Sequence, residues 1–563
     1  MTNRTEPWYW LNENSRAFLE RGYTLKDQSP EERVRQIADF AEKLLGEEGY
    51  ADKLYDYMSR GWISLSTPVW ANFGLSRGLP ISCFGSYMSD DMSSILYTHA
   101  ETGMMSKYGG GTSGYFGALR PRGAEITNNG TSNGPVHFMQ MFETLIQVVS
   151  QGKVRRGSFA PYLPLEHPDI EDFLEIGTEG NQIQNMTHGV TVGDDWLQSM
   201  IDGDDKKRAI WAKVIQRRGE MGYPYVLFSD NANNNTVDVY KDKKLKIYAS
   251  NLCSEIMLPS KEDWSFVCCL SSLNLLHYDE WKDTDLVEVM IKLLDAVMTD
   301  FCDRLESLRD SEDEADKQAF YFMERAYNFA KENRALGLGV LGWHSLLQSK
   351  KLPFESMEAG KLNVEIWKGI REKAEAASRA LAEKFGEPAI LKGYGRRNTT
   401  LLAVAPTTSS AFILGQVSQS IEPVWSNCYV KDVAKLKVTI KNPFLLELLE
   451  EKGKNDRETW NSIRDYDGSV QHLDFLSDEE KDVFRTFAEL DQAVVIEQAA
   501  VRQRYIDQGQ SLNIMVPPSV SPKEINELYL LAWRKGVKAL YYQHSMNAAQ
   551  ALTRQKICVS CEA

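Results

Sequence analysis

Apolar residues recur at helical spacing through much of the chain. Residues 30–62 carry the first such pattern, which predicts two or three helices. The segment 135–150 and the segment that begins at His167 predict two more. Beyond residue 285 long helical patterns return, among them LVEVMIKLLDAVMTDFCDRLESL and IREKAEAASRALAEKFG. We therefore expect a protein rich in amphipathic helices.

Short apolar runs of strand length alternate with these helices. Examples are ISLSTPVWANFG, HGVTVGDDW and TLLAVAP, the last at 400–406. Strands that alternate with helices favour an α/β fold with a mainly parallel sheet. The pattern divides the chain into an N-terminal helical region (1–62), a main α/β domain (63–548) and a tail without periodicity (549–563). Within the main domain, about residues 438–510 form a charged, largely helical insert.

Composition narrows the class of protein. Of the 563 residues, 43% are hydrophobic and 25% are charged, as in ordinary globular enzymes. No apolar run is long enough for a membrane helix, and the N-terminus lacks the features of a signal peptide, so we expect a cytoplasmic protein without a membrane partner. The net charge of −15 argues against nucleic acid as a partner, although a mononucleotide remains possible.

The segment SNLCSEIML places a thiol between an amide and a carboxylate. Its apolar positions alternate, which predicts a short buried strand with Asn251, Cys253 and Glu255 on one face. Such a group suits redox or nucleophilic chemistry. The alternative is a buried structural cysteine whose Asn and Glu neighbours face solvent.

Five other cysteines strengthen the redox interpretation. Cys83 lies in ISCFGSYMSDD, and Cys268 and Cys269 are adjacent in FVCCLSSLNL. Cys558 and Cys561 form a Cys-x-x-Cys pair in the tail, which is poorly placed for a core but well placed to exchange disulfides. The alternative for this pair is half of a zinc site, but no second Cys-x-x-Cys completes it.

Eight segments, taken in order, resemble the large catalytic subunit of class I ribonucleotide reductases. They are SLSTP, SCFGSYMSDD, HPDIEDFL, NLCSEI, CLSSLNL, APTTSS, LYYQ and the terminal CVSC, from about residue 62 to the end. The resemblance implies a ten-stranded α/β barrel with a central finger loop that carries Cys253, a short N-terminal helical region and a small helical insert. It also implies that the chain reduces ribonucleoside diphosphates to 2′-deoxyribonucleotides, although triphosphate substrates stay open.

The resemblance implies a role for each residue of the cysteine group. Cys253 would become a thiyl radical that abstracts the ribose 3′-hydrogen. Glu255 would take the proton of the 3′-hydroxyl, and Asn251 would hold the substrate hydroxyls. Cys83 and Cys268 would supply two electrons and two protons and end as a disulfide. Family spacing selects Cys268 over its neighbour, and adjacent strand residues face opposite ways unless a bulge intervenes.

The same resemblance implies partners for electrons and radicals. Cys558 and Cys561 would shuttle reducing equivalents from thioredoxin or glutaredoxin to the buried disulfide. Tyr541 and Tyr542, which on sequence alone would be core packing, would relay a radical from a separate small subunit. The metal or radical cofactor would belong to that subunit, and we expect no metal site and no covalently bound cofactor in this chain.

Hydroxyl-rich segments are candidates for nucleotide binding. APTTSS follows the apolar run TLLAV, so its hydroxyls and amides could cradle a phosphate, or could simply cap a helix. By resemblance the following residues hold the substrate diphosphate: Thr67, Ser82, Thr407, Thr408, Ser409 and Ser410. An allosteric dNTP or ATP effector would bind where two large subunits form a homodimer, near Asp90, the loop 118–127, Gln182 and Gln184.

One departure from many relatives concerns regulation. Cys83 comes early in the sequence, so we expect no N-terminal ATP-binding domain and no ATP/dATP activity switch, with specificity control retained. Two alternatives remain: an adenosylcobalamin-dependent class II reductase, and a non-catalytic nucleotide-binding scaffold. The tyrosine pair favours class I over class II, and the complete cysteine set argues against a scaffold.

Overall fold

The computed structural model describes residues 4–151, 157–415, 417–433, 436–517 and 519–545. The strands are β1 (Ile63–Leu65), β2 (Cys83–Tyr87), β3 (Gly111–Tyr115), β4 (Phe159–Pro164), β5 (Gly189–Val192), β6 (Tyr225–Phe228), β7 (Phe266–Asn274), β8 (Leu336–Leu341), β9 (Cys428–Val433), β10 (Leu436–Lys441), β11 (Ile514–Met515), β12 (Ala539–Leu540) and β13 (Gln543–His544).

Helices surround these strands along the whole described chain. They are α1 (Glu13–Leu19), α2 (Pro30–Leu45), α3 (Tyr50–Ser59), α4 (Thr67–Asn72), α5 (Met92–Lys107), α6 (Pro135–Val148), α7 (Ile170–Phe173), α8 (Asp194–Asp202), α9 (Asp205–Met221), α10 (Ser229–Asn234), α11 (Asp238–Asp242), α12 (Tyr278–Trp281), α13 (Leu286–Arg309), α14 (Glu314–Tyr321), α15 (Glu324–Asn333), α16 (Trp343–Ser349), α17 (Met357–Phe385), α18 (Thr408–Ile413), α19 (Pro443–Glu451), α20 (Arg457–Asp465), α21 (Asp478–Val483), α22 (Gln492–Gln503) and α23 (Pro522–Arg534).

Local sequence explains where the N-terminal helices begin and end. Ser29 caps α2 and exchanges hydrogen bonds with Glu32, while Pro30 fits the first turn, where its missing N–H costs nothing. Gly46 ends the helix in a left-handed conformation that a residue with a Cβ adopts poorly. α2 and α3 pack together and against α13, so the N-terminal region is fastened to the helical layer behind the sheet.

The main sheet has the order β1-β7-β2-β3-β4-β5-β6-β12, with β8 also paired to β7. β2 to β6 are parallel, and β7 and β8 are parallel. The two parallel groups join where β2 meets β7, and this junction is antiparallel. The predicted α/β class is confirmed, and within the described ranges the main sheet has nine strands where ten were expected.

The predicted strand at 400–406 is only partly formed. Leu402 bridges to β8, whereas Val404 bridges to Gln510, so the run changes partner after two residues. Its backbone bonds divide in the same way, since Leu338 N–H donates to the Leu401 carbonyl and Val404 N–H donates to the Gly509 carbonyl. The prediction of a regular strand is therefore wrong, because neither neighbour runs alongside it far enough.

Two of the hydrophobic clusters in the described ranges, unequal in size, bear on how the chain divides. The larger one fills the space between the main sheet and its helices and includes Val495 and Ile496 of α22. The smaller one lies between Cys428 and Phe484 and joins the β9–β10 hairpin to α19, α20 and α21. Thus the charged region beyond residue 428 has a core of its own, whereas α22 belongs to the main core.

Candidate functional site

Cys83 and Cys268 lie directly opposite each other at the junction of the two parallel strand groups. Cys83 begins β2, and the antiparallel register pairs it with Cys268 of β7. Cys83 is half-buried, whereas Cys268 is 1% exposed. Burial raises the pKa of the Cys268 thiol well above its usual range. A half-buried and a buried thiol in this register are placed to act as one dithiol.

Cys269 occupies a different position. It pairs with Leu336 of β8, and strand alternation directs its side chain to the face opposite that of Cys268. β7 continues through both residues as a regular strand from Phe266 to Asn274. The register therefore favours Cys268 as the partner of Cys83. The Cys268 side chain lies against Gly337 of β8. A larger residue at position 337 would crowd it, because a Cβ there would lie only 3.1 Å from Cys268 Sγ.

The segment that carries Asn251, Cys253 and Glu255 is a loop, so the predicted strand at SNLCSEI is wrong. Asn251 Oδ1 accepts hydrogen bonds from the backbone N–H groups of Glu255 (3.1 Å) and Ile256 (3.2 Å). Ser254 has a φ of 67°, which closes the turn between them. The amide therefore shapes the loop, because it satisfies backbone donors that a strand would have paired.

The loop tip brings the three predicted residues close to the dithiol. Asn251 Nδ2 lies 3.7 Å from Cys83 Sγ. Glu255 is buried, and its Oε2 lies 3.1 Å from the Ser511 hydroxyl, which also donates to the Cys253 carbonyl. Cys253 is half-buried and packs against a cluster of tyrosines. Thiol, amide and carboxylate are thus gathered beside the Cys83–Cys268 pair.

Gln508 was not predicted from the sequence, yet it connects the loop to the dithiol. Its Oε1 accepts from the Met257 N–H at 3.0 Å, and its Nε2 lies 3.3 Å from Cys268 Sγ. The residue is completely buried. Gln508 and Ser511 lie in the polar run IDQGQSLN, and the only sequence signal was the presence of several polar residues in a segment flanked by apolar ones.

The tyrosines form a continuous buried cluster next to Cys253. The rings of Tyr541 and Tyr542 have centroids 4.4 Å apart, and both residues are at most 3% exposed. Tyr225 lies 4.8 Å from Tyr541 and 5.2 Å from Tyr542 between ring centroids. Because Cys253 packs against this cluster, the predicted tyrosine pair and the predicted radical cysteine occupy one region of the structure.

The predicted phosphate-binding hydroxyls lie at the starts of short elements. Thr67 begins α4, Thr408 begins α18, and Ser82 directly precedes β2. The Tyr23 hydroxyl lies 3.1 Å from Thr67 Oγ1, and the Tyr23 ring contacts Phe18, which packs against Phe412 of α18. The N-terminal region thus connects α4 with α18.

The remaining hydroxyls of the phosphate segment differ in their bonding. Thr407 Oγ1 accepts from the Ser420 N–H at 2.7 Å, and Thr408 Oγ1 donates to Gln419 at 3.0 Å. Ser409 Oγ is buried without a hydrogen-bond partner in the described part of the chain, whereas Ser410 is half-buried. A buried hydroxyl of this kind is suited to a ligand oxygen.

The predicted effector residues lie on two loops. Asp90 forms an ion pair with Arg120 at 2.7 Å, and both side chains are partly exposed. Gln184 is bonded within its own loop, to the carbonyls of Thr178 and Asn181, and its backbone N–H donates to Glu143 of α6. Gln182 is exposed. Both loops are ordered by contacts of their own.

Cys558 and Cys561 lie outside the described residues, so the structure says nothing of the predicted shuttle. In the ranges that are described, no cluster of three or more His, Cys, Asp or Glu side chains is arranged to hold a metal ion. No helix in those same ranges has both the length and the apolar surface required to cross a bilayer.

Known proteins of one family are similar to this chain over almost its whole length. Residues 81–207, 198–390 and 389–543 match the family description "Ribonucleotide reductase, barrel domain", and residues 9–78 match "Ribonucleotide reductase, all-alpha domain". A putative ribonucleoside-diphosphate reductase large subunit of Frog virus 3 is 38% identical, with 88% of each chain covered. The large subunit of Invertebrate iridescent virus 3 is 31% identical and covers 94% of this chain, which spans 92% of it.

A solved structure gives the same result for the fold. The class Id ribonucleotide reductase alpha subunit of Actinobacillus ureae superimposes with a TM-score of 0.90 at 55% sequence identity. The similarity covers 97% of this chain and 99% of that one.

Proposed function

The chain belongs to the ribonucleotide reductase family, and from this premise we propose that it is the catalytic subunit of a class I ribonucleoside-diphosphate reductase. The observation that carries the proposal is the direct pairing of Cys83 with Cys268 beneath the loop that holds Cys253. In the proposed reaction a dithiol supplies two electrons at the reacting carbon, and a separate thiol nearby forms the radical.

In the proposed reaction, the thiyl radical of Cys253 takes the 3′-hydrogen of the substrate, and Glu255 takes the 3′-hydroxyl proton. A positioned base of this kind contributes about 10²–10⁴ in rate. The 2′-hydroxyl then leaves as water with one proton from the dithiol. Two electrons and the second proton pass from Cys83 and Cys268 to the ribose, and a disulfide forms. Glu255 returns its proton to the 3′-oxygen, and Cys253 finally returns a hydrogen to C3′.

Several residues would place the substrate for these steps. Asn251 would bind a ribose hydroxyl through the part of its amide that faces Cys83, while its Oδ1 keeps the loop closed. The hydroxyls of Thr67, Ser82 and Thr408, with their neighbours in APTTSS, would bind the diphosphate. We propose a nucleoside diphosphate because the curated viral relatives are described as ribonucleoside-diphosphate reductases.

The radical would come from a separate small subunit, whose metal or radical cofactor supplies a one-electron oxidant. Tyr541 and Tyr542 would carry the oxidation to Cys253, since they are buried, in ring contact and packed in the same cluster. A cobalamin-dependent reaction is the alternative, and the similarity to a class Id alpha subunit favours class I over it. A requirement for a second protein, instead of adenosylcobalamin, distinguishes the two.

The proposed enzyme must also regenerate its dithiol after each turnover and select among its substrates. Cys558 and Cys561 would reduce the Cys83–Cys268 disulfide and pass the oxidation to thioredoxin or glutaredoxin. A dNTP or ATP effector would bind near Asp90 at the interface of a homodimer and select the substrate. Coupling of this kind is typically worth about 1–3 kcal/mol and acts equally in both directions.

The test is CDP reduction by the chain with candidate small subunits and dithiothreitol. Cys253→Ala should abolish product, because no other thiol occupies the loop tip. Cys302→Ala is the matched control, since Cys302 is a buried cysteine within α13, far along the chain from the loop. Absence of activity with every small subunit would contradict the enzymatic proposal, and activity in Cys253→Ala would overturn the choice of radical residue.

A further inference from the structure

Trp425 is an exposed aromatic residue at the outer side of the tyrosine pair. Its side chain is 40% exposed, and its ring centroid lies 4.3 Å from that of His544. The His544 ring lies 5.7 Å from the ring of Tyr542, which in turn lies 4.4 Å from Tyr541. A chain of four rings therefore runs from the surface into the buried tyrosine cluster against which Cys253 packs.

A buried carboxylate accompanies this chain of rings. The Trp425 indole Nε1 donates to Glu422 Oε2 at 3.1 Å. Asn513 Nδ2 donates to the other carboxylate oxygen at 2.6 Å, and Asn513 Oδ1 accepts from the Tyr542 N–H at 3.1 Å. Glu422 is 5% exposed, and burial raises its pKa to about 7. Near neutral pH this carboxylate is therefore a base already bonded to the indole proton.

Resting on the proposed function, we propose that Trp425 is a radical relay residue between the small subunit and Tyr542. Three features support this assignment together: exposure at the surface, ring contact towards the tyrosine pair, and an indole N–H bonded to a carboxylate. An exposed tryptophan kept only for packing would need neither of the last two. Tryptophan and tyrosine are also the aromatic side chains that are oxidised most readily.

The relay step balances in electrons and protons. The oxidant of the small subunit takes one electron from the Trp425 indole, and the indole N–H proton passes to Glu422. Tyr542 then reduces the indole radical by one electron across His544, and Glu422 returns its proton to the indole nitrogen. The phenol proton of Tyr542 passes to the His544 imidazole. When Tyr541 reduces the Tyr542 radical by one electron, the proton on His544 returns to the Tyr542 oxygen. The radical has then moved from Trp425 to Tyr541, and Trp425 is back in its starting state.

Two substitutions separate a redox role from a packing role. Trp425→Phe keeps an aromatic ring against His544 but removes the oxidisable indole, and Trp425→Tyr keeps a ring that can be oxidised. We expect CDP reduction with the small subunit to fall by about tenfold or more in the Phe variant and to stay within about threefold of wild type in the Tyr variant. Tyr429→Phe, at a neighbouring aromatic residue that is also 40% exposed, is the matched control and should not change turnover.

Affinity for the small subunit is measured for each variant, so that docking and radical transfer are told apart. Equal affinity with lost turnover in Trp425→Phe supports the relay. Turnover of the Phe variant within about twofold of wild type would overturn the inference, as would a loss fully explained by weaker docking. An inactive wild type with every small subunit would instead contradict the proposed function, because the inference requires a working enzyme.

Discussion

A buried ion pair behind the dithiol allows a quantitative test of how the site is held. Glu101 of α5 is completely buried and bonds Arg325 of α15. Its two carboxylate oxygens also accept from Ser86 of β2 and from Ser265, which directly precedes β7, each at 2.8 Å. The carboxylate therefore connects the two strands that carry Cys83 and Cys268. Glu101→Gln removes the charge while leaving the shape almost unchanged.

The expected cost follows from the burial of the partner. Arg325 is 7% exposed, so Glu101→Gln leaves an uncompensated buried cation. Breaking one side of a buried pair costs about 3–5 kcal/mol of unfolding free energy. With an unfolding entropy of about 2.1 cal/mol/K per residue, a chain of 563 residues should lose about 3–4 °C in Tm. The double variant Glu101→Gln/Arg325→Met should lose less than the sum of the two single changes, because the unpaired charge is gone.

The assay is thermal unfolding followed by circular dichroism, together with disulfide formation between Cys83 and Cys268 in a thiol redox buffer. Arg60→Met is the control, because Arg60 forms an exposed pair with Asp56 and should change stability by less than about 0.5 kcal/mol. A Tm for Glu101→Gln equal to that of wild type would refute the reasoning. So would a double variant whose losses are simply additive.

Two further outcomes follow from the same structure. Cys268→Ala should abolish turnover, whereas Cys269→Ala should retain it at a modest cost in stability, as measured by CDP reduction and Tm; the reverse order would refute the register argument. Burial lowers the pKa of Lys538 to about 7, although its Nζ donates to the carbonyls of Asp507 and Gln508. Because an unfolded lysine titrates near about 10.4, the unfolded chain binds more protons between these values, and this group should make stability rise by about 2 kcal/mol from pH 7 to pH 9. Lys538→Met should remove that rise in denaturation curves, and an unchanged slope would contradict it.

Part of the site could be predicted because it depends on local periodicity. Strand alternation is enough to separate Cys268 from Cys269, and the structure has both residues in a regular strand. The segment around Cys253 misleads for a physical reason. Its alternating pattern resembles a strand, but the Asn251 amide takes over the backbone donors of Glu255 and Ile256 and closes a loop instead.

Other parts depend on topology, and no local pattern reports them. Gln508 and Ser511 reach the loop from about 250 residues further along the chain, through the bridge that Gln510 makes to Val404. Likewise, Trp425 can be recognised as a candidate relay residue only from its contact with His544, which follows more than a hundred residues later in the sequence. These contacts depend on how distant segments are brought together around the sheet. The spacing of apolar and polar residues in a single sequence does not reveal them.

The antiparallel junction of β2 and β7 has a mechanical consequence. The two parallel strand groups meet there, and each contributes one cysteine: Cys83 lies in β2 and Cys268 in β7. Under the proposed function, neither group of strands alone would hold both thiols of the reductant. A separation of the two groups along this junction would part Cys83 from Cys268 while the pairing inside each group stayed intact. Under the proposed function, the supply of electrons would depend on this junction staying paired, so a chain whose two strand groups had parted could bind a substrate but could not reduce it.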